Sequence, residues 1–95
     1  MYYLYILECA DETLYTGITT DLERRLHEHN ATLRGAKYTR GRRPVRLVYY
    51  KRFKTRSLAS KTEAKIKGLT RAEKLELIAM TTIKGSRVAK TEKNR

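Results

Sequence analysis

Tyrosine side chains that could act as general acids or bases crowd the start of this chain. Tyr5 and Tyr15 lie ten residues apart, and Arg25 follows after ten more. A tyrosine can accept a proton when a cation or metal-bound water lowers its pKa of about 10. From composition alone, packing is the simpler interpretation of the tyrosines, and a surface position that of Arg25.

A histidine and a glutamate extend this set. His29 lies one helical turn after the arginine and is either a surface residue or a proton-transfer group. Glu63 is the only acidic residue between Asn30 and Glu73. Its carboxylate either pairs with Lys67, four residues on, or binds Mg²⁺, for which one carboxylate suffices when substrate phosphates supply further oxygens.

Positive charge is concentrated in one segment of the sequence. The 95 residues include 22 Lys and Arg against 10 Asp and Glu, a formal net charge of +12, which favours a polyanionic partner. Residues 34–56 contain ten of these cations and no acid, with four aromatic residues interleaved. Cations neutralise phosphates and aromatic rings stack on bases, so the segment is predicted to contact nucleic acid. A solvated surface that only aids solubility is the alternative.

The rest of the composition argues against several classes of protein. The one cysteine, Cys9, cannot form an internal disulfide, and with two histidines it supplies three ligands where a structural zinc site uses four. No apolar run approaches the ~20 residues of a membrane span, and the N-terminus lacks the basic region and cleavage site of a signal peptide. We therefore expect a small cytoplasmic protein that has no membrane partner and is a monomer when free.

The hydrophobic pattern predicts the elements that must position these side chains. Aromatic and β-branched residues predict strands at 2–8, 14–18 and 45–53, and the first two form an antiparallel hairpin. A first helix is predicted to begin with a capping box of Thr20 and Glu23 and to end near residue 30. The fold class is α+β, a small three-stranded, mostly antiparallel sheet flanked by helices in the order β-β-α-β-α-α.

Two more helices and two irregular segments complete the prediction. A helix at 57–67, capped by Ser57 or Thr55, is followed by one that starts with a Thr70–Glu73 capping box and runs to about residue 80. The inward line of the first of these is predicted to be Leu58, Thr62 and Ile66. Residues 31–44 are predicted to form a basic loop. The folded domain is expected to cover residues 1–83, and residues 84–95 to form a flexible basic tail.

The ordered set of tyrosines, arginine and glutamate resembles the GIY-YIG nuclease superfamily, most closely its small single-domain bacterial members. Tyr3-Leu4-Tyr5 corresponds to the first family motif and Tyr15-Thr16-Gly17 to the second, and the resemblance covers roughly residues 2–80. The family positions that follow are matched by Arg25, His29 and Glu63. Both motifs depart from the family pattern, with Tyr and Leu replacing Gly and Ile in the first and Thr replacing Ile in the second. These positions mainly shape the strands.

The resemblance implies a metal-dependent nuclease that hydrolyses DNA, selective for DNA structure rather than sequence, in DNA repair or processing. By this resemblance Glu63 holds one Mg²⁺ or Mn²⁺ ion, and Tyr5 or Tyr15 takes a proton from the attacking water. Arg25 stabilises the phosphate in the transition state, and His29 assists proton transfer or binds the phosphate. Gly17 lets DNA approach the backbone. The remaining substrate-binding residues are expected to be Lys37, Tyr38, Arg40, Arg42 and Arg43. A non-catalytic nucleic-acid-binding domain that keeps the scaffold is the alternative.

Overall fold

Three antiparallel strands form one sheet in the computed structural model, which describes residues 1–32 and 34–83 and, of 81–83, the backbone only. The strands are β1 (Tyr2–Glu8), β2 (Leu14–Thr19) and β3 (Arg46–Phe53), arranged in the order β2-β1-β3. The predicted α+β fold and the hairpin between the first two strands are confirmed. The predicted tail at 84–95 lies outside the described residues.

The register of the hairpin brings three residues of the candidate site to one face of the sheet. Tyr5 of β1 lies directly opposite Gly17 of β2, and Leu7 lies opposite Tyr15. Directly opposed residues of an antiparallel pair project to the same side. Tyr5, Gly17 and Tyr15 therefore share a face.

Four helices surround this sheet. They are α1 (Leu22–Ala31), α2 (Lys37–Arg40), α3 (Arg56–Lys67) and α4 (Arg71–Ile83). The short helix α2 corrects the prediction of a loop throughout 31–44, and it forms because the Ala36 carbonyl accepts hydrogen bonds from the backbone N–H groups of Thr39 and Arg40. Among residues 1–32 and 34–83, no helix has the length and apolar character needed to cross a membrane.

The helix starts agree with the predicted capping boxes in one case and differ in another. α1 begins one residue later than predicted, because the extended residue before it is Asp21, whose carboxylate accepts a hydrogen bond from the Arg24 N–H at 3.0 Å. The predicted box of Thr20 and Glu23 is therefore wrong. At α3, the Thr55 hydroxyl accepts from the Leu58 N–H at 3.2 Å. At α4, the predicted reciprocal capping box is present, with bonds of 2.9 and 3.1 Å.

A buried cluster lies on each face of the sheet. The face covered by α3 and α4 carries Leu4, Ile6, Val48, Tyr49 and Ile66. The other face, against which α1 packs, carries Tyr5, Leu7, Cys9 and Val45. The inward line predicted for α3 is partly wrong, since Leu58 is 49% exposed while Ala59 is fully buried. Ala59 and Ile66, seven residues apart, are the buried residues of α3 and mark the side that packs on the sheet.

Candidate active site

A chain of buried hydrogen bonds runs inward from Tyr5. Its phenol oxygen lies 2.9 Å from His29 Nε2, and His29 Nδ1 lies 2.8 Å from the Thr39 hydroxyl. Nδ1 also accepts a 3.3 Å bond from the Ala36 N–H. Tyr5 is 2% exposed and His29 is 0% exposed. Because Thr39 belongs to α2, the short helix that was not predicted anchors one end of this chain; we call Tyr5, His29 and Thr39 the inner chain.

Burial governs the protonation of the inner chain. Desolvation raises the pKa of Tyr5 to about 12, although the guanidinium of Arg25 opposes this by favouring the phenolate. Desolvation and the charge of Arg25 lower the pKa of His29 to about 4. At neutral pH both side chains are therefore uncharged. His29 is fully buried and both of its ring nitrogens have partners within the protein, so it offers no free N–H to a phosphate here, and its role in the reaction stays a prediction.

Tyr15 lies between the inner chain and the protein surface. Its ring centroid is 5.3 Å from that of His29, in an edge contact, and 6.4 Å from that of Tyr5. On its other side, Tyr15 stacks on Tyr38 with 5.7 Å between centroids, and the Arg42 guanidinium sits 4.0 Å above the Tyr38 ring. Tyr15 is half-buried and Tyr38 is 38% exposed. These three residues, Tyr15, Tyr38 and Arg42, form an outer wall.

Arg25 projects from α1 next to the two buried rings. Its Nη1 donates to Glu28 Oε1 at 2.9 Å and to the Arg34 carbonyl at 2.7 Å. Burial alone would lower the pKa of Arg25, but the bonds to Glu28 and Tyr5 raise it. A guanidinium has five N–H donors, so donors remain for an incoming phosphate oxygen.

Glu63 is half-buried on α3, the helix that covers the other face of the sheet from Tyr5. Its negative charge is the weakest of the named influences on the pKa of Tyr5, which it raises. Its Oε2 also pairs with Lys67 Nζ at 3.2 Å, which confirms the predicted ion pair. Among residues 1–32 and 34–80, no three His, Cys, Asp or Glu side chains cluster as a metal cage. A lone, half-buried carboxylate oxygen still fits Mg²⁺ or Mn²⁺, hard ions that keep several waters and bind substrate phosphates.

Gly17 makes room for a tyrosine. A Cβ atom at this position would lie 2.5 Å from the Tyr5 phenol oxygen and 2.6 Å from Tyr5 Cζ, both far inside van der Waals contact. The prediction gave the glycine a different purpose, the close approach of DNA. The space beside Gly17 is instead occupied by the ring of Tyr5, and any larger residue would displace that ring.

The predicted substrate-binding residues divide into exposed and engaged ones. Lys37 and Arg40 are exposed on α2, beside the exposed ring of Tyr38. Arg42 is held by Asp11, at 3.0 Å, and by the Tyr38 carbonyl, at 2.8 Å. Arg43 donates to three backbone carbonyls at the end of α1, those of Glu28, His29 and Thr32. The predicted substrate contact does not fit Arg43, because its guanidinium caps this helix.

The three-stranded antiparallel sheet flanked by helices is the scaffold of a nuclease catalytic domain, as comparison with known families shows. A family model described as the GIY-YIG catalytic domain matches residues 1–76. The chain therefore belongs to the GIY-YIG family, as the sequence resemblance implied, and a nucleic acid is the implied partner.

Two relatives and one solved structure that are similar to this chain carry the designation UPF0213. The UPF0213 protein of Natronomonas pharaonis is 57% identical over 81 residues, which cover 85% of this chain and 94% of the relative. That of Clostridium perfringens is 54% identical over 84 residues, covering 88% and 89%. The solution NMR structure of the UPF0213 protein of Bacillus halodurans is 47% identical, with a TM-score of 0.55 over 84% of this chain and 85% of that one. A protein of E. faecalis, also solved by NMR, gives 43% and a TM-score of 0.57, with coverage of 85% and 86%.

Proposed function

We propose that this protein is a divalent-metal-dependent nuclease that hydrolyses DNA phosphodiester bonds during DNA repair or processing. The observation that carries the proposal is the position of Tyr15. This tyrosine is half-buried, touches the inner chain through His29 and stacks on an exposed ring at the surface. A phosphodiester in front of it would also meet Arg25, the other reactive group of this face.

Tyr15 is the general base in this proposal. Tyr5 is poorly suited to the task because it is 2% exposed and burial raises its pKa to about 12. Tyr15 is instead half-buried beside the exposed ring of Tyr38, where a water molecule can reach it. His29 contributes as a positioning residue, since it is hydrogen-bonded to Tyr5 and in edge contact with Tyr15.

Arg25 stabilises the negative charge that builds on the phosphate in the transition state. Its guanidinium is oriented by Glu28 and by the Arg34 carbonyl before substrate arrives. Charge that is already oriented needs no reorganisation during the reaction, which makes it the largest contribution in many such sites. Glu63 would hold the Mg²⁺ or Mn²⁺ ion, which when bound supplies Lewis-acid charge for the phosphate and the leaving oxygen.

The proposed selectivity is for DNA structure rather than for sequence. Lys37 and Arg40 are exposed cations next to Tyr38 on α2. Cations bind phosphate oxygens, which carry no sequence information, and an exposed aromatic ring stacks on any base. Branched, nicked or single-stranded DNA, in which bases are accessible, would suit this surface.

Cleavage assays with matched variants test the proposal. Labelled duplex, single-stranded and branched DNA are incubated with Mg²⁺, Mn²⁺ or EDTA and the wild type, Glu63→Ala, Arg25→Ala or Glu76→Ala. Glu76 is an exposed carboxylate on α4 and serves as the control. We expect cleavage with either metal and none in EDTA. Glu63→Ala and Arg25→Ala should each lose about 10²–10³-fold in rate, while Glu76→Ala keeps the wild-type rate.

Two outcomes would contradict this mechanism. Cleavage that continues in EDTA would show that the reaction needs no metal. Unchanged rates in both Glu63→Ala and Arg25→Ala would show that neither residue acts in the reaction. If the wild type cuts none of the substrates but retains them on a gel, the protein is a non-catalytic nucleic-acid-binding domain. Glu63, set among Lys61, Lys65 and Lys67, argues against that alternative, because without a metal its carboxylate repels phosphate.

A further inference from the structure

A groove of ≈ 340 Å³ opens beside Arg25, and none of its lining residues belongs to the inner chain or the outer wall. The end of β2 forms one side through Ile18 and Thr19. α1 contributes Arg24, Arg25 and Glu28, and α3 contributes Arg56. Among these residues the nuclease proposal uses only Arg25 and Glu28, which orients the Arg25 guanidinium.

Three guanidinium groups face this groove against one carboxylate. Glu28 pairs with Arg25 at 2.9 Å and more distantly with Arg24 at 3.8 Å, and the side chain of Arg24 is still 59% exposed. Arg56 is exposed, and no carboxylate of the described residues lies within ion-pair distance of it. The lining therefore has a surplus of positive charge that an anion could satisfy.

The geometry of α1 relates this groove to the candidate active site. Arg24 and Arg25 are consecutive, so their side chains leave the helix about 100° apart, given 3.6 residues per turn. Arg25 points toward Tyr5 and His29, whose pKa values it shifts, and it also lines the groove. One helix thus presents cations to two adjoining places, and Arg25 stands between them.

We propose that this groove binds a backbone phosphate of the nucleic acid, next to the phosphate that Arg25 contacts, with Arg24 and Arg56 as its ligands. The proposal rests on the proposed function, since it extends the path of the same strand beyond the reacting bond. Guanidinium groups suit this role because their planar donors match phosphate oxygens. The site fixes the position of the strand and reads no bases.

Binding measurements without metal test the proposal separately from catalysis. A labelled single-stranded oligonucleotide is titrated with protein in EDTA at several salt concentrations, and binding is followed by fluorescence anisotropy. The variants are Arg24→Ala, Arg56→Ala and the control Lys65→Ala, an exposed lysine on the same helix as Arg56 but outside the groove. Loss of one phosphate contact should reduce the slope of log K against log salt by about 0.7. We expect that reduction for each arginine variant and none for Lys65→Ala.

Shortened oligonucleotides locate the contact. Nucleotides are removed one at a time from either end, and once the phosphate that fills the groove is gone, the wild type and Arg56→Ala should bind equally. Wild-type slopes in both arginine variants would overturn the proposal, as would a penalty that persists on every shortened oligonucleotide. If the wild type fails to cleave DNA but the slopes fall as expected, the nuclease proposal fails and the phosphate site stands. If the wild type cleaves DNA but both arginine variants keep the wild-type slope, the nuclease proposal stands and the phosphate site fails.

Discussion

The inner chain and the outer wall are built around the same kind of residue but present opposite environments to it. Tyr5 and Tyr15 project from neighbouring strands, with ring centroids 6.4 Å apart. Tyr5 is almost fully buried, bonded to His29, and has its pKa raised to about 12. Tyr15 is half-buried and stacks on the exposed ring of Tyr38.

Burial, rather than residue type, separates the structural tyrosine from the one that can react. An uncharged, hydrogen-bonded pair in the interior fixes the positions of neighbouring rings, because moving either partner would leave a buried polar atom unsatisfied. A phenol that solvent can reach is able to exchange a proton with water.

Lowering the pH should cause the largest loss of stability, and it acts through His29 of the inner chain. The pKa of His29 falls from 6.5 to about 4 on folding, so between these pH values the unfolded chain binds a proton that the folded chain does not. The free energy of unfolding should therefore decrease as pH falls from about 6.5 to about 4, by about 3 kcal/mol in total. Chemical denaturation at a series of pH values measures it.

Two histidine variants give this prediction its control. His29→Gln should flatten the pH dependence, because the buried titrating group is gone. His27 is exposed on the same helix, so His27→Gln should leave the curve unchanged. If the free energy of unfolding of His29→Gln still fell steeply with pH, the effect would belong to another group.

A methyl group at Gly17 should be the next largest disturbance. Gly17→Ala would place a Cβ 2.5 Å from the Tyr5 phenol oxygen, so Tyr5 must shift and its bond to His29 must lengthen or break. Forcing an extra methyl into a packed interior costs about 1–3 kcal/mol, measurable as a lower denaturation midpoint. A methyl group at Gly41 would enter open space, with no atom beyond its chain neighbours within 4 Å, so Gly41→Ala should show no such loss. Equal effects of the two substitutions would contradict this interpretation of Gly17.

Substitutions of arginines within residues 34–56 should give the smallest changes in the free energy of unfolding. Arg43→Ala removes donors to three carbonyls at the end of α1, and we expect a loss of about 1 kcal/mol in unfolding free energy. Arg40→Ala, at an exposed position, should change it by less than about 0.5 kcal/mol but weaken DNA binding. Thermal unfolding and anisotropy titrations, made on both variants, separate the two roles. A destabilised Arg40→Ala with a fully stable Arg43→Ala would reverse the assignment.

The sequence was sufficient to predict the three strands of the sheet and their α+β class. Aromatic and β-branched residues are concentrated in β1, and the period of two along a strand puts Tyr3 and Tyr5 on one face. The intervals from Tyr5 to Tyr15 and on to Arg25 led to the family. Local patterns like these predict structure reliably because they depend on residues that are close together in the chain.

The sequence could not predict contacts between segments that are far apart along the chain. α2 has only four residues and no hydrophobic period to indicate it, so Thr39 could not be recognised as the partner of His29. Arg42 and Arg43 looked like free cations because the acceptors that hold them lie far away in sequence, at Asp11 and at the end of α1. The signal that could have pointed to α2 was a threonine three residues after Ala36, whose hydroxyl bonds back to that carbonyl.

The division of work between the two tyrosines is tested most directly by removing each hydroxyl. Single-turnover cleavage of labelled DNA is measured for Tyr15→Phe and Tyr5→Phe under conditions where both variants are folded. We predict that Tyr15→Phe loses about 10²–10⁴-fold in rate, the usual contribution of a general base, while its stability stays near that of the wild type. Tyr5→Phe should keep most of the rate and lose about 1 kcal/mol of stability with its hydrogen bond. A large loss of rate in Tyr5→Phe, with Tyr15→Phe active, would contradict this division of work.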